Sequence, residues 1–110
     1  MARYQNTLKM TKDYPVYEKA ISDLLESKGF APVDYNGTPM WKKGMGVLAG
    51  PQFVGFHQEG QTIVLEGFIR FALLPGVFIG EMGTEGIVGI VPKRQLKKLL
   101  TAVEDLIISR

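Results

Sequence analysis

Apolar residues recur every three to four positions in two stretches of the chain, and this spacing predicts two amphipathic helices. The first is expected at about residues 14–28, where Asp13 is a suitable N-cap and Gly29 suits the position just past the C-terminus. The second is expected at about residues 92–108, where Pro92 suits the first helical position. Because each helix is apolar along one stripe only, each should cover a surface on one side.

Short runs of alternating apolar and polar residues fill the middle of the chain, and they predict antiparallel strands. Asn36-Gly37 is a strong hairpin signal. The following pattern predicts a meander over residues 52–91, with strands at 52–58, 61–74, 77–83 and 86–91 and turns at Glu59-Gly60, Pro75-Gly76 and Thr84-Glu85. Residues 5–10 should add another strand. We therefore expect one two-layer α+β domain, residues 1–110, in which a curved antiparallel sheet of about five to seven strands has both helices on one face.

The register of the meander follows from its two-residue turns, because directly paired residues share a face. These turns predict that Phe56 pairs with Ile63 and that Arg70 pairs with Glu81. They also place one uncharged set on a common face, which we predict to be the core face: Val54, Phe56, Ile63, Leu65, Ile69, Phe71, Leu73, Phe78, Met82, Ile87 and Val91.

The opposite face of the predicted sheet is also mostly apolar, whereas a solvated face should be polar. Two helices fill one face only, so we expect another molecule to cover the second face. The residues predicted at this interface are Phe53, Val64, Phe68, Arg70, Ile79, Glu81, Val88 and Ile90. A two-fold contact would bring Arg70 of one copy close to Glu81 of the other, so a homodimer is the expected assembly.

Four cations lie in the first turns of the second predicted helix: Lys93, Arg94, Lys97 and Lys98. Their positive charges oppose the helix dipole at this end. A solvated helix face explains them, and the alternative is an anion-binding site in which these cations and the helix N–H groups converge on a phosphate or carboxylate.

Composition narrows the possible chemistry. The 110 residues include no cysteine, which excludes disulfide scaffolds, thiol catalysis, zinc ribbons and iron–sulfur clusters. His57 is the only histidine, and we expect it to be a surface or interface residue of a strand. Without a nucleophile–base pair or a set of metal ligands, the sequence favours a binding or assembly module over an enzyme and predicts no cofactor.

Charge and hydropathy bear on partners and location. The formal net charge of +2 favours no particular partner, and two glutamates, Glu66 and Glu81, on the open sheet face argue against nucleic-acid binding. The most apolar segment, residues 63–79, contains charged residues and a proline, so no membrane span is predicted. Residues 1–4 lead into polar sequence rather than an apolar signal segment, and we expect a cytoplasmic protein.

Several segments resemble a domain found in short uncharacterised bacterial proteins. These segments are Trp41-Lys42-Lys43-Gly44, Gly50-Pro51-Gln52-Phe53, Glu66-Gly67-Phe68-Ile69-Arg70-Phe71, Leu74-Pro75-Gly76, Gly80-Glu81-Met82-Gly83 and Lys93-Arg94-Gln95-Leu96-Lys97-Lys98. The resemblance covers about the last two thirds of the chain and implies no established activity. The predicted order of elements is also similar to the TATA-binding-protein-like arrangement, which implies a curved sheet with helices on one side and no function.

Two functional hypotheses follow from these patterns. The first is a non-enzymatic binding or assembly module that forms a homo-oligomer through the second, apolar face of its sheet. The alternative is a protein that binds a small apolar or anionic molecule in a pocket between the sheet and the C-terminal helix, where Arg70 or the Lys93–Lys98 cluster would hold an anionic head group.

Overall fold

A computed structural model describes residues 3–44, 51–74, 77–82 and 90–110; within these, residues 71–74, 77–82 and 90–93 are described by their backbone alone. The elements along the chain are β1 (Tyr4–Lys9), α1 (Tyr14–Ser27), β2 (Ala31–Tyr35), β3 (Thr38–Lys43), β4 (Gln52–Glu59), β5 (Thr62–Leu74), β6 (Val77–Met82) and α2 (Ile90–Ile108). Within the described ranges, neither helix is long and apolar enough to cross a membrane.

The strands form one antiparallel sheet in the order β1-β5-β4-β3-β2, and β6 pairs with the second half of β5. Both helices pack on one face of this sheet, so the predicted α+β architecture is confirmed. The predicted hairpin is also present: Asn36 and Gly37 have φ angles of 51° and 86°, the two positive values that a type I′ turn requires.

The core lies between the helices and the face of the sheet that the sequence predicted to be inward. Val54, Ile63, Leu65 and Ile69 are all fully buried there. The helices contribute a second buried set: Tyr17, Ile21, Leu25, Leu96, Leu99, Leu100, Val103 and Ile107. Burial of this apolar surface is the main favourable term that holds the two layers together.

Helix α1 ends in a Schellman motif that fixes the direction of the following chain. Gly29 adopts φ +90°, which a residue with a side chain rarely adopts. The N–H of Gly29 donates to the carbonyl of Glu26, and the N–H of Phe30 donates to the carbonyl of Leu25. Phe30 and Leu25 then pack in the same core cluster, so the end of the helix is both capped and anchored.

The predicted registers are partly correct. Arg70 pairs with Glu81 as expected, and bulges then displace the later β5–β6 pairs. The β4–β5 turn is at 60–61 rather than 59–60, so Phe56 pairs with Leu65 and not with Ile63. Gly60, with φ +59°, occupies the first turn position, which suits a type II′ turn. The slip moves each partner by two residues, so the same side chains stay on the same face.

The last two residues of the predicted meander lie in a helix instead of a strand. Ile90 and Val91 belong to the first turn of α2, not to a strand at 86–91. Residues 83–89 lie outside the described ranges, and with them the predicted turn at Thr84-Glu85 and the predicted positions of Ile87 and Val88. Ile90 therefore cannot be a sheet residue of the second face, because the helical backbone has already begun at this position.

A close approach at Gly67 sets the distance between α2 and the sheet. A Cβ atom at this position would lie 2.8 Å from Leu100 Cδ1 and 3.0 Å from Cδ2. Leu100 is fully buried, so its side chain has no free space into which it could move. Glycine is thus required here by contact with α2 rather than by its backbone conformation.

Polar contacts join β1 to the C-terminal half of α2. The Tyr4 hydroxyl and the Asn6 amide both donate hydrogen bonds to Oε2 of Glu104. Partial burial, with the hydrogen bond to the Glu104 carboxylate, raises the pKa of Tyr4 to about 12. The folded protein therefore favours the neutral phenol, which can donate this bond.

Replacement of Gly67 should be more damaging than replacement of Gly55. At Gly55 a Cβ would meet Met40 Cε at 2.7 Å, but this atom is the end of a flexible chain that can adjust. We expect Gly67→Ala to lower the free energy of unfolding by about 1–3 kcal/mol and Gly55→Ala by less than about 1 kcal/mol. Urea denaturation of both variants measures the difference, and equal losses would contradict the packing described.

Loss of the Tyr4 proton should weaken the fold at high pH. The unfolded phenol loses its proton near 10.0 and the folded one at about 12, so the stabilisation is present below pH 10 and is lost as pH rises towards 12. At pH ~8, Tyr4→Phe should cost about 1.5 kcal/mol, the low end for a hydrogen bond to a charged group. The cost should shrink above pH ~10 in urea titrations, and a cost that stays constant up to pH ~11 would contradict this contact.

Candidate functional site

The second face, the side of the sheet away from the helices, holds a compact aromatic cluster. Phe53 of β4 and Phe68 of β5 are directly paired, and their rings stack at a centroid distance of 5.0 Å with planes 8° apart. The Tyr35 ring from β2 lies 4.8 Å from Phe53 and 5.2 Å from Phe68. Met40 completes the cluster from β3.

The position of Tyr35 shows that the β2–β3 hairpin curls over this face. Three strand spacings separate β2 from β5, which is about 14 Å in a flat sheet. The Tyr35 and Phe68 rings are nevertheless 5.2 Å apart. The hairpin therefore bends across the second face, and Met40 lies against the bare backbone of Gly55.

Two arginines complete the cover of the aromatic cluster. The Arg3 guanidinium lies 4.3 Å from the centre of the Phe68 ring, and it is 3.7 Å from the Glu66 carboxylate. Arg70 Nη1 donates a hydrogen bond of 2.7 Å to the Tyr35 hydroxyl. The Arg70 hydrogen bond joins the hairpin to β5, and the Arg3 guanidinium also lies 5.9 Å from the centre of the Tyr35 ring.

Among the residues predicted at an intermolecular interface, those whose side chains are described are largely covered by the chain itself. Phe53, Val64 and Phe68 are 5%, 7% and 0% exposed, and Arg70 is half-buried. Ile79 and Glu81 lie in β6 by their backbone positions, and Val88 is outside the described ranges. The expectation that a second molecule must cover Phe53 and Phe68 is not needed, because the hairpin covers them. The homodimer stays a prediction: among the residues whose side chains are described, the exposed large apolar residues are Val16 and Ile108, and both belong to helices.

The titratable groups of this face are engaged in surface pairs. His57 is half-exposed and its Nε2 lies 2.8 Å from Oε2 of Glu59. The Gln5 amide donates to the Glu66 carboxylate, which also faces Arg3. In the part of the chain that the structure describes, no group of three His, Asp or Glu side chains is arranged to hold a metal ion.

A cavity of about 350 Å³ opens at one edge of the helix-covered face, and we call it the lysine cavity. Its lining combines three cations, two amides and an apolar wall, namely Lys28, Phe30, Lys43, Gln52, Gln95, Lys98, Leu99 and Ala102. The volume lies at the lower end of the range for small-molecule sites.

Four separate elements bring these residues together. The Schellman motif after α1 leaves Lys28 at the rim and turns Phe30 inward. Lys43 ends β3 and is paired with Gln52, which begins β4. Helix α2 contributes the stripe Gln95, Lys98, Leu99 and Ala102, whose spacing places these residues on one side of the helix.

Gln52 is the one buried polar side chain among those that the structure describes, with 7% of its surface exposed. Its Nε2 donates a hydrogen bond of 3.2 Å to Oε1 of Gln95. The bond links β4 to α2 across the wall of the lysine cavity. Burial of an amide is unfavourable unless it is hydrogen-bonded, so this contact explains how Gln52 is tolerated at a core-facing position.

The described lining of the lysine cavity carries positive charges and no negative ones. Lys28, Lys43 and Lys98 line it, and its described lining includes no carboxylate. Lys43 Nζ lies 5.9 Å from the centre of the Phe30 ring, which positions this ammonium group over an apolar surface. A space with three ammonium groups and no acid favours an anion over a cation or a neutral molecule.

The cations predicted to form one cluster on the second helix do not share one site. Arg94, Lys97 and Lys98 are all exposed on α2, but of these Lys98 alone lines the cavity. Lys93 is described by its backbone only. Sequence reasoning missed Lys28, Lys43, Gln52 and Gln95, although Gln52 gave one signal: it is a polar residue on the same strand face as Val54.

Comparison with known proteins identifies no relative: no family model matches, and neither the curated proteins nor the solved structures include a significant match. The resemblances to an uncharacterised bacterial domain and to the TATA-binding-protein-like arrangement therefore stay predictions.

Removal of the Phe68 ring should test whether the chain itself buries the second face. We expect Phe68→Ala to lower the free energy of unfolding by about 3–5 kcal/mol, because a large buried side chain is lost. Val16→Ala is the control: Val16 is 44% exposed, and its replacement should change stability by less than about 0.5 kcal/mol.

The cost should be the same at protein concentrations of about 0.2 and about 20 µM, because burial within one chain does not depend on association. Denaturation monitored by the fluorescence of Trp41 measures the loss of unfolding free energy at both concentrations. A cost that appears only at the higher concentration would show that another copy buries Phe68.

Proposed function

We propose that this protein is a small-molecule-binding domain that holds the anionic end of its ligand in the lysine cavity. The observation that supports the proposal is the convergence around one space of Lys28 from the C-cap of α1, Lys43 from β3 and Lys98 from α2. Local sequence patterns do not require this convergence, because the three lysines come from distant parts of the chain.

The number of cations favours a ligand with more than one negative charge. Each ammonium group gains most when it contacts an anion directly, and charge-assisted hydrogen bonds are roughly twice as strong as neutral ones. A phosphate ester, a pyrophosphate or a polycarboxylate could contact three lysines at once. A monocarboxylate has two oxygens and would satisfy fewer of them.

The apolar wall indicates that the ligand is not an inorganic ion alone. Phe30 and Leu99 are buried core residues whose edges reach the cavity, and Ala102 lies beside them on α2. Small-molecule sites are usually apolar with a few polar groups that fix orientation. An organic body next to these residues and an anionic end at the lysines would match this arrangement.

Neutralisation of Lys98 should weaken anion binding, whereas neutralisation of its neighbour Lys97 should not. Both are exposed cations on α2, so Lys98→Met and Lys97→Met change net charge and helix surface equally. We expect Lys98→Met to weaken binding of pyrophosphate or citrate by about tenfold, or about 1.4 kcal/mol, and Lys97→Met by less than about twofold.

Isothermal titration calorimetry at low ionic strength measures both variants, and added salt should weaken binding because the site is open to solvent. Equal effects of the two substitutions would show a diffuse charge effect and overturn the proposal. So would the absence of binding by the unmodified protein to every polyanion tested.

A further inference from the structure

The amides of Gln52 and Gln95 leave hydrogen-bonding groups available beside the three lysines. One bond joins the two side chains, from Gln52 Nε2 to Gln95 Oε1. A primary amide has two N–H donors and one carbonyl acceptor, so this bond uses one of the donors of Gln52. No described residue bonds to its other N–H or to its Oε1, and the Oε1 atom keeps contact with solvent although only 7% of the residue is exposed.

This spare capacity does not depend on which way the amides are oriented. If the oxygen and nitrogen of both side chains were exchanged, Gln95 would donate to Gln52, and the pair would still leave donors and an acceptor unused. A buried polar group with unused capacity in the wall of a cavity is satisfied by water or by a ligand that presents complementary groups. Such a ligand needs a donor next to an acceptor, as amides, lactams and nucleobases have.

On the basis of the proposed function, we infer that the ligand is a mononucleotide-type molecule: the Gln52–Gln95 pair binds the polar edge of its base, and Lys28, Lys43 and Lys98 bind its phosphate. The apolar wall of Phe30, Leu99 and Ala102 gives the flat ring a surface to lie against. The cavity volume of about 350 Å³ suits one nucleotide and is small for a dinucleotide.

The test compares ligands that differ only in the base. The probes are the four ribonucleoside 5′-monophosphates and ribose 5-phosphate, titrated into the full chain by calorimetry. At least one nucleotide should bind about tenfold or more tightly than ribose 5-phosphate, because the sugar phosphate leaves the amide groups unpaired. Gln52→Leu should abolish this preference and change the affinity for ribose 5-phosphate by less than about twofold.

Gln95→Leu provides a second variant at an exposed position of α2, and it removes the hydrogen-bond partner of Gln52 while keeping the Gln52 side chain. It should also reduce the preference for the nucleotide, and thermal melts of both variants show that they are folded. A preference for the nucleotide that neither substitution changes would overturn the assignment of these amides.

Two other results separate the inference from the proposed function. Nucleotide and ribose 5-phosphate that bind equally, both weakened by Lys98→Met, would overturn the nucleotide inference and leave the anion site intact. No binding of either probe, with no binding of pyrophosphate or citrate, would overturn both.

Discussion

Both faces of this sheet hold apolar side chains, and where side chains are described the chain buries them on both faces with its own residues. Two helices cover one face in the usual way for a two-layer domain. The other face has no helix in the described ranges, and the β2–β3 hairpin bends over it instead. The stacked rings of Phe53 and Phe68 are the surface that this bend buries. The sheet must curve strongly to bring the Tyr35 ring onto Phe53 and Phe68.

The lysine cavity lies beside the paired residues Lys43 and Gln52 of this curved sheet. The C-terminal end of β3 and the start of β4 are joined by three residue pairs, from Trp41–Val54 to Lys43–Gln52. The helices cover the middle of the inward face, where Leu100 lies against Gly67. Towards the edge the helix layer and the strands no longer meet closely, and Lys28, Lys43 and Lys98 surround the remaining space. A site at the margin of a packed layer is open to solvent but still has an apolar wall.

Local patterns predicted a large part of the fold. Helical periodicity identified α1 and α2 to within two residues at each end. Asn36-Gly37 identified the hairpin because few residue pairs adopt two positive φ angles in succession. The alternation along β4 and residues 62–70 of β5 assigned side chains to the correct faces although the turn was misplaced by one residue. The partners then shift by two residues, so each side chain stays on the same face.

The sequence by itself determined which residues form each element and which side of that element is apolar, because both depend on neighbours within a few positions. It could not determine what covers the second face or which polar residues meet at the edge of the layers. Those outcomes depend on the curvature that accumulates over several strands, which brought Tyr35 onto Phe68. They also depend on contacts between residues far apart in the chain, such as Gln52 with Gln95. The tertiary structure alone therefore decided that Lys98, and not its equally charged neighbour Lys97, lines a cavity with Lys28 and Lys43.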